Sequence, residues 1–228
     1  MNKKKISHIA LILDGNKRWA KKNKLSKIAG YNTGFKKIQE IVNFSLNIKL
    51  KNLTLFTLSS ENFYRPSVNI IYDIIYNNFS KLLDDLIRKN NIKIKIFGKR
   101  DNLPEKIKEI FDEAEKLTNE NTNLNLNLAF NYGFKDEIKQ FLLNFKNNLN
   151  NINLDNDKDI NSLFYLGSLP DPDLLIRTGG YKRISNFIMY NLTYSELFFT
   201  KTLWPEFNLK EFEQIIDDYY KINRKYGL

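Results

Sequence analysis

Asp14, Gly15, Asn16, Lys17, Arg18 and Trp19 follow directly on an apolar run, Ile9 to Leu13, and lead into a basic, helix-compatible segment. This order sets a carboxylate, a glycine and two cations where a buried strand would turn into a helix. A helix start offers unpaired N–H groups and about half a positive charge, which suits a phosphate, and a carboxylate can hold the magnesium that a diphosphate carries. The same six residues also fit an ordinary strand-to-helix turn, so a diphosphate site needs partners from other loops.

Other loops supply them. Ser59, Ser60, Glu61, Asn62 and Arg65 follow a second apolar run, Leu53 to Leu58. Arg177, Thr178, Gly179, Gly180, Arg183 and Ser185 follow a fifth, Asp173 to Ile176, and Glu196 comes after a sixth, Phe187 to Tyr190. If each run is a strand, these loops bring two carboxylates (Asp14, Glu196) and four arginines to one edge of a sheet, together with hydroxyls and glycines. Ligands of open α/β sheets collect beyond that carboxyl edge. Arginine forks match phosphate oxygens, glycines admit a close backbone approach, and hard carboxylate oxygens favour magnesium.

The elements that must position these groups are legible as periodicity. Ile92, Ile94 and Ile96 alternate with lysines, and Leu124, Leu126 and Leu128 with asparagines, giving strands three and four. Phe35, Ile38, Val42 and Leu46 recur at helical spacing, as do Ile71, Ile75, Phe79, Leu82 and Leu86, and again Leu103, Ile107, Ile110, Ala114 and Leu117 behind Pro104. Leu209 to Tyr220 forms a last helix, and the Asn-rich tract from Asn144 to Asn161 a helix end and a loop. Strands alternating with helices predict an α/β fold with a central, mostly parallel six-stranded sheet and helices on both faces. With no proline- or glycine-rich linker, residues 1–228 read as a single domain.

Composition narrows the chemistry. Lys+Arg 36 against Asp+Glu 26 leaves +10, which favours anionic partners: nucleic acid, an acidic membrane surface or phosphorylated substrates. Much of the lysine lies in mixed segments, Lys81 to Lys89 and Lys106 to Lys116, that read as solvated helix faces. Without cysteine there is no disulfide, thiolate zinc site or cysteine nucleophile, and this fits a reducing compartment. The one histidine, His8, heads the first strand away from its carboxyl end and reads as structural; a triad or histidine metal cluster is impossible. Walker, Rossmann and nucleophile-elbow patterns are absent. The basic start followed by apolar residues lacks a cleavage site, and no apolar stretch nears the ~18 residues of a membrane span. A soluble, cytoplasmic protein is expected.

The motifs together resemble a family. The hexad Asp14–Trp19, the segment Ser59 to Pro66, the pair Asn131 and Tyr132 before Gly133, the run Leu175 to Gly180 with Arg183 to Phe187, and Tyr194 to Leu197 through Leu203, Trp204 and Pro205 are similar, in order and spacing, to cis-prenyltransferases. Within that family the likeness is to the bacterial undecaprenyl diphosphate synthases, or isoprenyl transferases, and it runs from about His8 to Gly227. The resemblance implies a homodimeric, magnesium-dependent enzyme that extends farnesyl diphosphate with isopentenyl diphosphate units, through cis double bonds, to a lipid carrier for cell-wall sugars. It implies at most peripheral membrane contact and no nucleic acid.

Residue by residue, the likeness implies that Asp14 binds magnesium and assists departure of the allylic diphosphate, with Gly15, Asn16, Lys17, Arg18 and Trp19 cradling that substrate. Ser59, Ser60, Glu61, Phe63 and Arg65 would line the allylic side, Arg177, Arg183, Ile184 and Ser185 would hold isopentenyl diphosphate, and Glu196 would complete the metal site. Asn62 matches the position given a proton-accepting role. A neutral amide is a very poor base, so it would act by positioning a water or the diphosphate. The chain departs from the family at Lys27 and Tyr31 (commonly Arg and His), at Phe63 (commonly Trp), and at Tyr181 and Lys182 (often acidic and His). Lys27 keeps the charge without the bidentate fork, and Tyr31 can still bond a diphosphate. Near the end, Lys225, Tyr226 and Gly227 resemble a basic-x-glycine tail that reaches a partner subunit. An apolar tunnel for the growing chain has Leu55, Thr57, Ile75, Phe79, Leu86, Leu126 and Leu128 as candidate walls. Two rival readings are a magnesium-dependent phosphohydrolase with Asp14 as nucleophile and a basic nucleic-acid-binding module.

Overall fold

A computed structural model of the chain describes residues 5–77 and 91–222. Its centre is a six-stranded sheet made of β1 His8–Ile12, β2 Asn52–Ser59, β3 Ile92–Phe97, β4 Leu124–Tyr132, β5 Leu174–Arg177 and β6 Glu196–Phe199, in the order β3-β4-β2-β1-β5-β6. Every adjacent pair is parallel. The expected mostly parallel sheet is therefore parallel throughout.

Parallel strands covered on both faces read as near-continuous apolar runs, and β1 is buried along its whole length. Alternation sends Ile9 and Leu11 into one core and Ala10 and Ile12 into the other. The first core is closed by α2 (Lys27–Asn47), α5 (Glu105–Thr118) and α8 (Leu209–Lys221), through residues such as Ile41, Val42, Ile107, Phe111 and Phe212. In α5, Ile107, Phe111, Ala114 and Thr118 point inward, which leaves most charges between Lys106 and Lys116 on the solvated face that periodicity predicts. Ser26 caps α2 and Asn208 caps α8, each accepting a backbone N–H three residues on.

The second face is covered by residues 165–169 and 184–192 and by α6 (Phe134–Asn147). Glu137 of α6 accepts the Tyr132 hydroxyl and, at 2.8 Å, the Tyr165 N–H. The Asn-rich tract holds the end of α6, a 3₁₀ turn at Leu149–Asn151 and a short α7 at Asp157–Ser162. Residues 68–77 are helical and are denoted α4. The predicted continuation of that helix through Phe79, Leu82 and Leu86, the segment Lys81 to Lys89 and the tail Lys225 to Gly227 lie outside the described residues. No described helix is long and apolar enough to cross a membrane.

One predicted strand is wrong. Phe187 to Tyr190 is not extended in the sheet; residues Met189–Leu192 form a 3₁₀ turn. The run is apolar because Phe187 and Ile188 plug the second core, with Phe187 stacked on Phe56 at 4.5 Å. The sixth strand is instead Glu196–Phe199, a half-exposed edge without the continuous burial of the inner strands.

His8 is structural, as expected. Fully buried at the amino end of β1, it lies with Nδ1 2.6 Å from the Pro170 carbonyl and Nε2 2.7 Å from Thr54 Oγ1.

Candidate active site

The register sets Ile12 of β1 against Arg177 of β5, so the residues that follow β1 emerge beside the end of β5. Asp14 and Arg177 meet there: Asp14 Oδ2 is 2.9 Å from Arg177 Nη2, and Asp14 Oδ1 is 3.0 Å from Arg18 Nη2, one turn into α1 (Asn16–Lys22). The Thr178 hydroxyl donates to the Asp14 carbonyl at 2.8 Å and accepts the Asp14 N–H at 3.0 Å, which fixes the backbone that carries the carboxylate. Arg177 is buried, and its Nη1 donates to the Arg183 carbonyl and, at 2.6 Å, to Ser185 Oγ. Its Nε has no hydrogen-bond partner among the described residues. Arg183 Nε donates to the same Ser185 Oγ at 3.0 Å.

Glycine is required at two places here. Gly15 caps α1 at φ +128°, and a Cβ there would stand 2.9 Å from Leu203 Cα and from Trp204 N. Gly179 adopts φ +87°, and a Cβ would come within 2.4 Å of Arg18 Nη2, whose partner Nη1 donates to the Gly179 carbonyl at 2.6 Å.

Around this cluster opens a polar basin of about 740 Å³. Of the residues proposed from sequence, Asp14, Ser59, Glu61, Asn62, Arg65, Arg177, Arg183 and Ser185 line it. Ser59 caps the short helix α3 (Ser60–Phe63), its Oγ accepting the Asn62 N–H at 3.3 Å. A second cationic group lies alongside. Burial pushes the Lys17 ammonium below the ordinary lysine range, and the neighbouring Arg65 and Lys27 charges act in the same direction. Burial raises the Tyr31 hydroxyl, opposed by a hydrogen bond from Ser67 and by the charge of Arg65. Lys17, Lys27, Tyr31 and Arg65 thus share one electrostatic neighbourhood.

Next to the basin lies a smaller, mainly apolar cavity of about 110 Å³, which shares Leu13 and Thr57 with it. Thr57, Ile75, Leu126 and Leu128 of the candidate tunnel walls line it, and Leu55 does not; Phe79 and Leu86 lie outside the described residues. Asn16 and Tyr31 reach this wall as well, and the buried Asn16 Oδ1 has no hydrogen-bond partner among the described residues. Trp204 closes it, with its indole N–H held by the Gly34 carbonyl at 2.9 Å.

Several proposed residues stand elsewhere. Phe63 is buried in the first core and Ile184 packs on the second. Trp19 and Ser60 line neither cavity. Glu196 opens β6, paired with Leu174 at the amino-terminal edge, three positions before the Arg177–Phe199 pair, or roughly 10 Å back along the strands. Within one chain Asp14 and Glu196 therefore do not form the two-carboxylate metal site that the sequence implied. The resemblance implied that metal role, and the placement of Glu196 at the carboxyl edge followed from taking Phe187 to Tyr190 as the sixth strand, which put Glu196 after a strand instead of at the start of one.

Sequence reasoning gave no role to three polar basin residues, Lys135, Tyr181 and Asn186. Asn186, at φ +62°, donates Nδ2–H to Glu61 Oε1 at 2.7 Å and accepts the Lys135 N–H at 2.9 Å, so it ties α3 to the start of α6. Lys135 follows β4, and the carboxyl-edge rule applied to that strand would have found it.

Residues 12–227 match the family described as "Prenyltransf: Putative undecaprenyl diphosphate synthase". An isoprenyl transferase of Thermotoga maritima is 37% identical over 226 residues, covering 96% of each chain. Among solved structures, lavandulyl diphosphate synthase from Lavandula x intermedia, in complex with dimethylallyl diphosphate, superposes with a TM-score of 0.92 at 26% identity, covering 98% of both chains. A "probable undecaprenyl diphosphate synthase" from Campylobacter jejuni gives 0.77 at 29% identity over the full length of both.

Proposed function

Because the chain belongs to the undecaprenyl diphosphate synthase family of cis-prenyltransferases, transferases that elongate prenyl chains, we propose that it condenses isopentenyl diphosphate onto farnesyl diphosphate in successive steps. The product is a long, undecaprenyl-type diphosphate, precursor of a lipid carrier for cell-wall sugars. One observation carries this reading: a basin holding Asp14 and several arginines adjoins an apolar cavity, so one site offers charge to a diphosphate head and dry surface to a hydrocarbon tail. The phosphohydrolase and nucleic-acid readings account for the basin and not for the cavity.

Arg177, Arg183 and Ser185 hold the diphosphate of isopentenyl diphosphate, and the unpartnered Arg177 Nε supplies a buried donor for it. Lys17, Arg18, Lys27, Tyr31 and Arg65 hold the allylic diphosphate, whose tail enters past Leu13 and Asn16. The allylic C–O bond breaks, the isopentenyl double bond attacks the resulting cation, and a proton leaves the condensed unit. Guanidinium groups around the departing diphosphate neutralise the charge it gains, in a basin partly shielded from water. Asn62 orients the water or diphosphate oxygen that takes the proton.

Asp14 offers a hard oxygen donor, and no group of three or more metal-ligating side chains occurs among the described residues. That donor set would suit a magnesium ion accompanying the diphosphate, to which Asp14 would contribute its carboxylate. When bound, the ion supplies Lewis-acid stabilisation of the leaving group. The expected homodimer is supported by β6, an edge strand with Leu197 and the adjoining Tyr194 exposed, and any share of Glu196 in metal binding belongs to that assembly.

Each five-carbon unit drawn from water contributes about 3 to 4 kcal/mol at about 0.8 per CH₂. The cavity of about 110 Å³ is smaller than the ~150 Å³ cavity that admits benzene, so a growing chain needs more room than the described walls, Ile38, Ile71 and Ile75 among them, enclose. The enzyme acts in the cytoplasm, a compartment that suits a cysteine-free chain. Incubation with labelled isopentenyl diphosphate, farnesyl diphosphate and magnesium, followed by chain-length analysis, tests this function. Long polyprenyl diphosphates are expected, and release of inorganic phosphate without condensation would favour the hydrolase.

A further inference from the structure

Three guanidinium groups surround one aromatic ring at the mouth of the basin. The Cζ atoms of Arg183, Arg18 and Arg177 lie 4.2, 4.8 and 5.7 Å from the centroid of Tyr181. All are within the ~6 Å over which a cation is attracted to a ring face. The cluster gains from such a partner, because three positive charges lie close together and only two of them pair with the Asp14 carboxylate. Asp14 pairs with Arg18 and Arg177, whereas the Arg183 side chain donates to Ser185 Oγ and faces the ring. The Arg18 side chain is 42% exposed, so solvent is open to it as an alternative. Gly179 and Gly180, at φ +87° and +83°, turn the backbone immediately ahead of Tyr181, which lines the basin while keeping 43% of its surface exposed.

The chemistry of the partner matters. A carboxylate here would accept N–H groups that a phosphate also needs. An aromatic face attracts a guanidinium without consuming an N–H donor, so the contact persists when an anion arrives. We propose that Tyr181 is a positioning residue that gathers Arg18, Arg177 and Arg183 into a preorganised diphosphate receptor before any ligand binds. The proposal rests on the diphosphate reading of the basin and adds to it the device that keeps the receptor assembled. Preorganisation raises affinity by reducing what must be ordered on binding.

The test is calorimetric titration of inorganic pyrophosphate into metal-free native protein and the variants Tyr181→Phe, Tyr181→Leu and Tyr181→Gln, with thermal midpoints measured in parallel. Tyr181→Phe should bind within about twofold of native, while the Leu and Gln variants bind about tenfold more weakly at unchanged thermal midpoints. In turnover, the Michaelis constant for isopentenyl diphosphate should rise by a similar factor in the Leu and Gln variants, with kcat within about twofold of native. A purely structural role would not discriminate Phe from Leu by ring character. Affinity of Tyr181→Leu within about threefold of native, or a loss in Tyr181→Phe as large as in Tyr181→Leu, would overturn the proposal and leave the basin intact as a diphosphate site. Native protein that binds no pyrophosphate, with or without magnesium, would overturn both.

Discussion

His8 makes the stability of this fold depend on pH in a calculable way. The Pro170 carbonyl can only accept, so Nδ1 carries the proton and Nε2 accepts from the Thr54 hydroxyl, which in turn accepts from Asn127 Nδ2 at 3.2 Å. This network satisfies a neutral ring. Burial pushes the His8 pKa from 6.5 down to about 4, against opposing contributions from the Pro170 hydrogen bond and the Asp173 charge. The unfolded chain therefore takes up the proton first as the pH falls. The stabilisation is complete above about pH 6.5, declines between about 6.5 and 4, and changes little below. A gap of about 2.5 between the two pKa values, at about 1.36 kcal/mol for each pH unit, comes to about 3 kcal/mol, a large part of the ~5–15 kcal/mol of a typical domain. Urea unfolding of native protein and His8→Gln between pH 7.5 and 4 measures it. The variant should be less stable at neutral pH, and its deficit should shrink by about 3 kcal/mol at the acid end because glutamine does not titrate. His8 is the sole histidine, so its ring proton resonance is unambiguous in an NMR titration and should stay nearly constant from pH 8 to 5. A resonance with a midpoint near 6.5, or a deficit independent of pH, would refute the account.

Four further outcomes follow from the site. Asp14→Ala should lower turnover by about 10²–10³-fold with an unchanged circular dichroism spectrum, and near-native turnover would remove Asp14 from the leaving-group chemistry. Arg177→Ala should raise the Michaelis constant for isopentenyl diphosphate more than that for farnesyl diphosphate; steady-state kinetics giving the opposite order would mean that the two pockets are exchanged. Gly179→Ala forces a Cβ to within 2.4 Å of Arg18 Nη2 at φ +87°, so a loss of about 1–2 kcal/mol in chemical denaturation and weaker pyrophosphate binding are expected. Magnesium alone should leave the thermal midpoint unchanged, whereas magnesium with pyrophosphate should raise it. A shift with magnesium alone would mean a dedicated protein site for the ion.

The central strands β1 and β2 are legible from sequence because burial on both faces makes them largely apolar, as in Ile9 to Leu13 and Leu53 to Leu58, while β3 and β4 are legible by alternation. The same criterion fails at the edge. Phe187 and Ile188 satisfy it as core plugs, while β6, with Glu196 and a 47% exposed Leu197, does not. That single exchange moved Glu196 from the wrong end of the sheet to the right one on paper. Lys135 and Asn186 went unassigned for another reason: their roles come from loops packing against each other, and no periodicity in one segment encodes the packing of another.

The convergence on Asp14 was legible in kind and not in place. Periodicity says that a strand ends near residue 13 and another near 177, but not that the two are neighbours. In the fold the chain leaves β1 toward β2 on one side and leaves β5 toward β6 on the other. Connections that diverge in this way open a crevice between the two strands at their carboxyl ends. Asp14 and Arg177 stand at that crevice, 163 residues apart in the chain and 2.9 Å apart in space. The strand order thus determines which loops can share a ligand, and the composition of those loops, rich in guanidinium, favours an anionic one. A rearrangement separating β1 from β5 would abolish the site without altering one residue of either loop.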